Sequence, residues 1–315
     1  MSSGTDKKSK LHPRNKNRNL YNLESLIQCK PSLANYIKPN KAGNPSIDFS
    51  NPEAVKILNK ALLHYYYGVE YWEFPDANLC PPIPGRVDYL HYIADLLRVN
   101  NSGEIPKNNI TCLDIGMGAS CIYPILGVTE YDWNFIGSDI AEKSIANAKN
   151  IIASNPQLKG KIECRLQNNP TQIFKGIIAT NEKIDVTISN PPFHASKEDA
   201  LKGTRRKIKN LSGKKEKNPD LNFAGISNEL IYKGGEFAFI GNMIKESMMF
   251  QNNCLWFTTL VSKESNLKGI YKLLDKAKVA EFKTIKMGTG NKISRIVAWT
   301  FLSTEAQNQW RVSRK

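Results

Sequence analysis

From Ile110 onward the chain alternates short apolar runs with stretches of helical spacing, and few folds can absorb that pattern. The runs are Ile110–Ile115, Asn134–Ile140, Ile162–Leu166, Ile184–Ser189, Leu255–Val261, Phe282–Ile285 and Arg295–Phe301. Each has the length of a strand and is too short for a buried helix. Helical spacing at Glu142–Ala153 and Phe237–Phe250 fills two of the gaps. Strands alternating with helices predict an α/β fold with a doubly wound, mostly parallel sheet of seven strands, which binds its ligands at the carboxyl ends of the strands.

Upstream the texture differs. Asn51-Pro52-Glu53 supplies an N-cap, a proline at the first helical position and an acid in the first turn, so a helix is predicted from here to Gly68. Ala54, Ile57, Leu58, Ala61, Leu62 and Tyr65 fall at three- and four-residue spacing along it. Val87, Leu90, Ile93, Ala94 and Leu97 repeat the pattern in a second helix. The proline-dense loop Cys80-Pro81-Pro82-Ile83-Pro84-Gly85-Arg86 separates the two. At 315 residues with 41% hydrophobic, the chain can bury one large core, or one core plus a smaller accessory element.

The chemistry is concentrated at three strand ends. The first strand runs into Asp114-Ile115-Gly116-Met117-Gly118-Ala119-Ser120, where glycines let the backbone approach a ligand. A strand-to-helix turn without a ligand would look the same, and Cys121 stands where a dinucleotide fingerprint has its third glycine. The second strand ends in Gly137-Ser138-Asp139, whose carboxylate can accept hydrogen bonds from both hydroxyls of a ribose. Together these predict an adenosine-containing cofactor without separating NAD from S-adenosylmethionine. The fourth strand separates them, because it runs straight into Asn190-Pro191-Pro192-Phe193. An exocyclic amine on a conjugated ring is a poor nucleophile. The Asn190 side-chain oxygen and the Pro191 carbonyl can each accept one of its N–H groups and aim the lone pair at a methyl group. Two prolines stiffen the turn before substrate arrives, and Phe193 offers a face for an extruded base. His194 is read as a neighbour, since a methylated amine sheds its proton to water. A surface arginine is usually a salt-bridge residue, but the fork of Arg86, in a proline loop leading into a helix, suits the cofactor's methionine carboxylate. Trp72, Tyr66 and Tyr67 are read as core.

The six cysteines and four histidines form no C-x-x-C pair and no cluster, so no metal is expected, and free thiols within apolar runs suit a reducing cytosol. No apolar run approaches a membrane span and no secretory h-region is present, which predicts a cytoplasmic protein. The net charge is +15. Residues 1–19 carry six cations, among them Arg14, Lys16 and Arg18, against Asp6. Residues 197–217 carry nine, among them Lys202, Arg205, Arg206, Lys207 and Lys209, against three acids. One such segment could be merely a solvated tail, but two point to nucleic acid.

Over nearly its whole length the chain resembles the ribosomal RNA large subunit methyltransferase F family, with kinship to eukaryotic methyltransferase-like proteins that modify adenosine in structured RNA. The resemblance is carried by Leu11-His12-Pro13-Arg14-Asn15, Asp48-Phe49 with Asn51-Pro52, Leu79-Cys80-Pro81-Pro82 through Arg86, and Asp114-Ile115-Gly116 through Gly127. Asn190 through Phe193, Leu221-Asn222-Phe223 and Ala298-Trp299-Thr300-Phe301 complete it. It implies a class I, Rossmann-like methyltransferase domain over 106–315, with a basic insertion at about 196–235. A helical extension over 46–105 and a basic arm over 1–45 precede it. It further implies S-adenosyl-L-methionine as cofactor and the N6 amine of one adenosine in 23S rRNA, free or in a large-subunit assembly intermediate, as target, with no obligate protein partner. Arg86, Gly116, Ser120, Asp139 and Asn190 would line the cofactor site, beside Asp114 and Gly118 of the same turn, with Asn168 or Asn169 near the adenine. Asp139 departs from the glutamate expected in many relatives by one methylene. An N5-glutamine protein methyltransferase would need the same Asn-Pro-Pro device, and DNA adenine methylation is another rival. So is a non-catalytic RNA-binding or ribosome-assembly factor on a methyltransferase fold. The basic segments favour nucleic acid, and the intact Gly116, Asp139 and Asn190 favour an enzyme. Cys121 and Asn190–Phe193 disfavour an NAD-dependent oxidoreductase.

Overall fold

The computed structural model describes residues 11–19, 21–40, 42–99, 101, 103–196, 198–199, 230–289 and 292–312. Its centre is a sheet of β1 (Thr111–Ile115), β2 (Asn134–Asp139), β3 (Ile162–Leu166), β4 (Ile184–Ser189), β5 (Cys254–Val261), β6 (Glu281–Thr289) and β7 (Lys292–Thr300). These seven strands lie in the order β3-β2-β1-β4-β5-β7-β6. The first five are parallel, and β7 runs antiparallel between β5 and β6. The strand order reverses between β1 and β4, whose carboxyl ends therefore flank the crevice where such sheets bind ligands. All residues of β4 and β5 are buried; β5 reads as a mostly apolar run, whereas β4 alternates Ile184, Val186 and Ile188 with buried Asp185, Thr187 and Ser189.

Helices α1 (Leu23–Cys29), α2 (Pro52–Tyr67), α3 (Ile83–Val99), α4 (Ile122–Tyr131) and α5 (Glu142–Ser154) precede β4, and α6 (Gly235–Ser247), α7 (Leu267–Lys276) and α8 (Thr304–Val312) follow it. Side chains that alternate along each strand feed two cores. Cys112, Trp256 and Ala298 join the core under α2 to α5, whereas Leu113, Phe257 and Trp299 join the one under α6 and α7. α2 starts and stops as its caps dictate. Asn51 Oδ1 accepts from Glu53 N at 3.0 Å and Ala54 N at 3.3 Å, and Gly68 adopts φ +65° at the other end. α3 begins at Ile83, earlier than the apolar stripe alone predicts, because Pro84 is tolerated in a first turn where no intrahelical N–H is needed. Arg86 consequently stands on the helix rather than in the loop before it.

Residues 11–19 fold back onto α3. The His12 backbone N–H donates to Asp88 Oδ1 at 3.0 Å, and the His12 ring nitrogen Nε2 lies 2.8 Å from Asp95 Oδ2. At the other end of the chain, the Trp310 indole of α8 donates to Asp185 Oδ1 at 2.9 Å. The second oxygen of Asp185 accepts from Thr111 N at 2.7 Å, so one buried carboxylate ties α8, β4 and β1 together.

Candidate active site

The turn after β1 takes its shape from two glycines in left-handed backbone, Gly116 at φ +73° and Gly118 at φ +69°. Its Gly118 N–H donates to Asp139 Oδ2 at 2.9 Å, while Asp139 Oδ1 accepts from Ala141 N at 2.9 Å. Asp139 thereby joins the end of β2 to the β1 turn, and its carboxylate retains acceptor capacity for a ligand. Burial pushes this carboxyl above its ordinary range, against the lowering effect of the N–H groups of Ala141, Gly118 and Ile140. Gly137 is required for packing, since a Cβ there would stand 2.2 Å from Met117 Sδ. Cys121, in the place of the absent third glycine, is buried at φ +50°, so the turn keeps a left-handed residue without glycine.

α3 brings Arg86 to the same place. Its Nη1 donates to Tyr123 Oη at 2.8 Å and its guanidinium carbon sits 5.3 Å from that ring's centroid, while Nε is buried with no partner among the described residues. Asp114 lies beneath the turn, 1% exposed, with neither oxygen hydrogen-bonded among the described residues. Burial lifts its carboxyl from 3.8 to about 8, opposed by Arg86 and reinforced by Asp139, so at neutral pH it is mostly protonated.

These groups border a cavity of about 350 Å3, within the size range of small-molecule sites, ~300–1,000 Å3. Of the expected cofactor residues, Arg86, Gly116, Gly118, Ser120, Asp139 and Asn190 line it. Asp114 sits below the lining, and Asn168 and Asn169 are outside it; Gln167 takes their position. The Gln167 side chain turns inward because Nε2 donates to Lys175 O at 2.9 Å and Oε1 accepts from Asn169 N at 3.0 Å. Asn169 is spent on an Asx turn with Thr171. The walls also include Asn78, Tyr123, Tyr232 and Phe239, none singled out from sequence. Tyr123 opens α4 beside the glycine turn and could have been found from that position. Tyr232, near the end of the basic insertion, and Phe239 just after it carry no local signal.

Asn190 and Pro192 face this cavity, while Pro191 is buried and Phe193 is outside the lining. Two anchors fix the turn. Before it, Ser189 N donates to the hydroxyl of fully buried Tyr89 at 3.4 Å, and that hydroxyl is 2.8 Å from Thr258 Oγ1 on β5. After it, His194 N donates to Leu230 O and Tyr232 N donates to His194 O, both at 3.0 Å, so Tyr232 is brought across from Asn190. The His194 ring is 3.2 Å from Asp199 Oδ2.

In the arm, Arg14 donates to Asp95 Oδ1 at 2.9 Å, to His91 O at 2.7 Å and to Tyr131 Oη at 3.2 Å. Lys16 pairs with Glu130 at 2.7 Å. Arg18 is exposed and donates to Pro13 O at 3.3 Å. Lys202, Arg205, Arg206, Lys207 and Lys209 lie outside the described residues. Among the described residues no group of His, Cys, Asp and Glu side chains is arranged to hold a metal ion, and no helix is long and apolar enough to cross a membrane.

The sheet order, the nucleoside-sized cleft at its switch point and the Asn-Pro-Pro-Phe turn opening into it define a class I methyltransferase. The model of a family described as RNA methyltransferase matches residues 5–303. The ribosomal RNA large subunit methyltransferase F of Cytophaga hutchinsonii is 52% identical over 98% of this chain and 96% of its own length. The protein of that name from Bacteroides thetaiotaomicron is 52% identical over 94% and 99%. The chain belongs to this ribosomal RNA large subunit methyltransferase F family of RNA methyltransferases. Among solved structures, the catalytic domain of human METTL16 in complex with MAT2A 3′UTR hairpin 1 is 25% identical, with a TM-score of 0.77 over 94% of this chain and 97% of that one. The N-terminal domain of human METTL16 in complex with SAH shares the fold, with a TM-score of 0.73 at 23% identity over 93% and 99%.

Proposed function

We propose that the protein uses S-adenosyl-L-methionine to methylate the N6 amine of one adenosine in 23S rRNA, in the cytoplasm, on the free RNA or on a large-subunit assembly intermediate. The observation that carries this reading is that Asn190 of the catalytic turn opens into the same cavity as Gly116, Gly118 and Asp139. The residues fit the cofactor. Asp139 has lone pairs for the ribose hydroxyls, the unpartnered Nε of Arg86 marks a site for the methionine carboxylate, and the open backbone at Gly116 and Gly118 admits the chain between them. When bound, the cofactor supplies a methyl group on a sulfonium sulfur.

The protein's own contribution is placement. The Asn190 side-chain oxygen and the Pro191 carbonyl accept the two N–H groups of the adenine amine, which turns its lone pair out of conjugation and toward the cofactor side of the cleft. Tyr232 and Phe239, in edge contact at 5.2 Å, supply aromatic walls for the extruded base. His194 is engaged with Asp199 and no base is needed, because the methylated ammonium is acidic enough to lose its proton to water. Holding both partners in attack geometry can contribute ~7–11 kcal/mol. RNA outside the cleft is held by phosphate contacts from Arg18 and the basic insertion, while Arg14 and Lys16, engaged with Asp95 and Glu130, seat the arm.

Asn190→Ala tests the reading. Single-turnover methylation at saturating RNA and cofactor should drop by about 10²-fold or more, the scale of removing one preorganised polar group, while RNA affinity stays the same. Near-normal turnover would remove Asn190 from the chemistry.

A further inference from the structure

We propose that Glu246, on the last turn of α6, is a positioning residue for the adenine end of the cofactor cleft, an inference that rests on the S-adenosylmethionine reading above. Three consecutive backbone N–H groups of the loop between β3 and β4 converge on its carboxylate. Ile173 N donates to Oε2 at 2.8 Å, Phe174 N to Oε1 at 2.9 Å and Lys175 N to Oε1 at 2.6 Å. Consecutive amides facing one way form a concave anion site that the chain rarely adopts unless an anion fills it. Here the anion is a side chain from an element more than seventy residues away in sequence.

The loop so held is part of the cleft, since Pro170, Gln172 and Ile173 line it. Cofactor groups along the cleft follow the order of the strands. Arg86 takes the carboxylate end, Asp139 at the tip of β2 takes the ribose, and the base beyond it falls against the loop that leaves β3. Gln167 latches the same loop through Lys175 O. Phe174 also roots it in the core, fully buried 5.3 Å from the Phe257 ring. Phe174 fixes the loop's depth, whereas the carboxylate fixes the direction of its peptide planes, and so where the Pro170 to Ile173 wall stands. α6 repeats the device at its other end, where buried Glu236 accepts from Ser262 N at 2.7 Å and Lys263 N at 3.2 Å after β5.

The test uses calorimetry with S-adenosylhomocysteine and with methylthioadenosine, which keeps the nucleoside and lacks the amino-acid end. Glu246→Gln leaves one acceptor oxygen in place and keeps the test usable where Glu246→Ala does not fold. In the folded glutamine variant both ligands should weaken by the same factor, about ten-fold, the scale of losing charge-assisted hydrogen bonds. KM for the methyl donor should rise alike, while kcat at saturating donor stays within about two-fold. Unchanged affinity for both ligands in the folded variant would overturn the proposal. Weakening of S-adenosylhomocysteine alone would also overturn it, because the loop would then not serve the base. A wild-type protein that binds neither ligand would overturn the cofactor reading, and the clamp with it.

Discussion

Asp114 is a carboxylic acid in a place where its ionised form has no hydrogen-bond donor among the described residues. Unfolded, it ionises near 3.8; folded, near about 8. Between those values the unfolded chain has released a proton that the folded protein keeps, so stability falls as pH rises through this window and levels off above it. Asp114→Asn removes that dependence. Thermal unfolding of the cofactor-free variant should lose less stability than wild type from pH ~4 to ~8, and parallel curves for the two proteins would refute the burial effect. Gly116, Asp139 and Asn190 were picked out from sequence by their places at strand ends, and the fold brings all three to one cavity. Gln167 was displaced by its neighbours Asn168 and Asn169 in that reading, since only the bond to Lys175 shows which of three amides turns inward. Tyr89 and Glu246 were invisible, because their partners lie 100 and 71 to 73 residues away in sequence.

Among the elements, α2 is the one whose limits are most fully set by capping chemistry. Asn51→Ala removes the acceptor for two first-turn N–H groups and should cost ~0.5–2 kcal/mol in urea unfolding. An unchanged midpoint would mean that Pro52 and the packing of the helix suffice. The bounds of fully buried β4 and of half-buried β3 match those read from the runs. β6 and β7 extend well beyond their apolar centres. Both continue as a long antiparallel pair through Lys286 with Arg295 and Met287 with Ser294, where buried Met287 and Arg295 alternate with exposed Lys286 and no apolar run marks the strand. α8 escaped notice because few of its residues are apolar and its docking surface is supplied by the sheet, whereas α7 carries Leu267, Ile270, Leu273 and Leu274 at helical spacing, a legible signal that was not singled out from sequence.

Across the whole molecule, the excess positive charge is concentrated at the two segments named above, and the described part of the arm spends Arg14 and Lys16 on internal partners. The insertion is therefore the main candidate for phosphate contact. Replacing Arg205, Arg206 and Lys207 together by alanine should weaken RNA binding across sequences and flatten its dependence on salt, each lost phosphate contact lowering the log–log slope by about 0.7–0.9. Cofactor affinity should not change. An unaltered slope would leave the insertion as solvated surface. The folded-back segment has a consequence for the order in which the protein can be made. His12 meets Asp88 across 76 residues, and Arg14 meets Tyr131 across 117. At about 5–20 residues per second, translation delivers Tyr131, the last of Arg14's partners, roughly 6–23 s after Arg14 itself. For the first part of that interval the segment lacks even its α3 partners Asp88, His91 and Asp95, and until its end it lacks Tyr131 of α4. Full seating thus waits for α4, and a nascent chain halted before α3 would hold its first basic residues out to the nearest RNA, which is the ribosome that is making it.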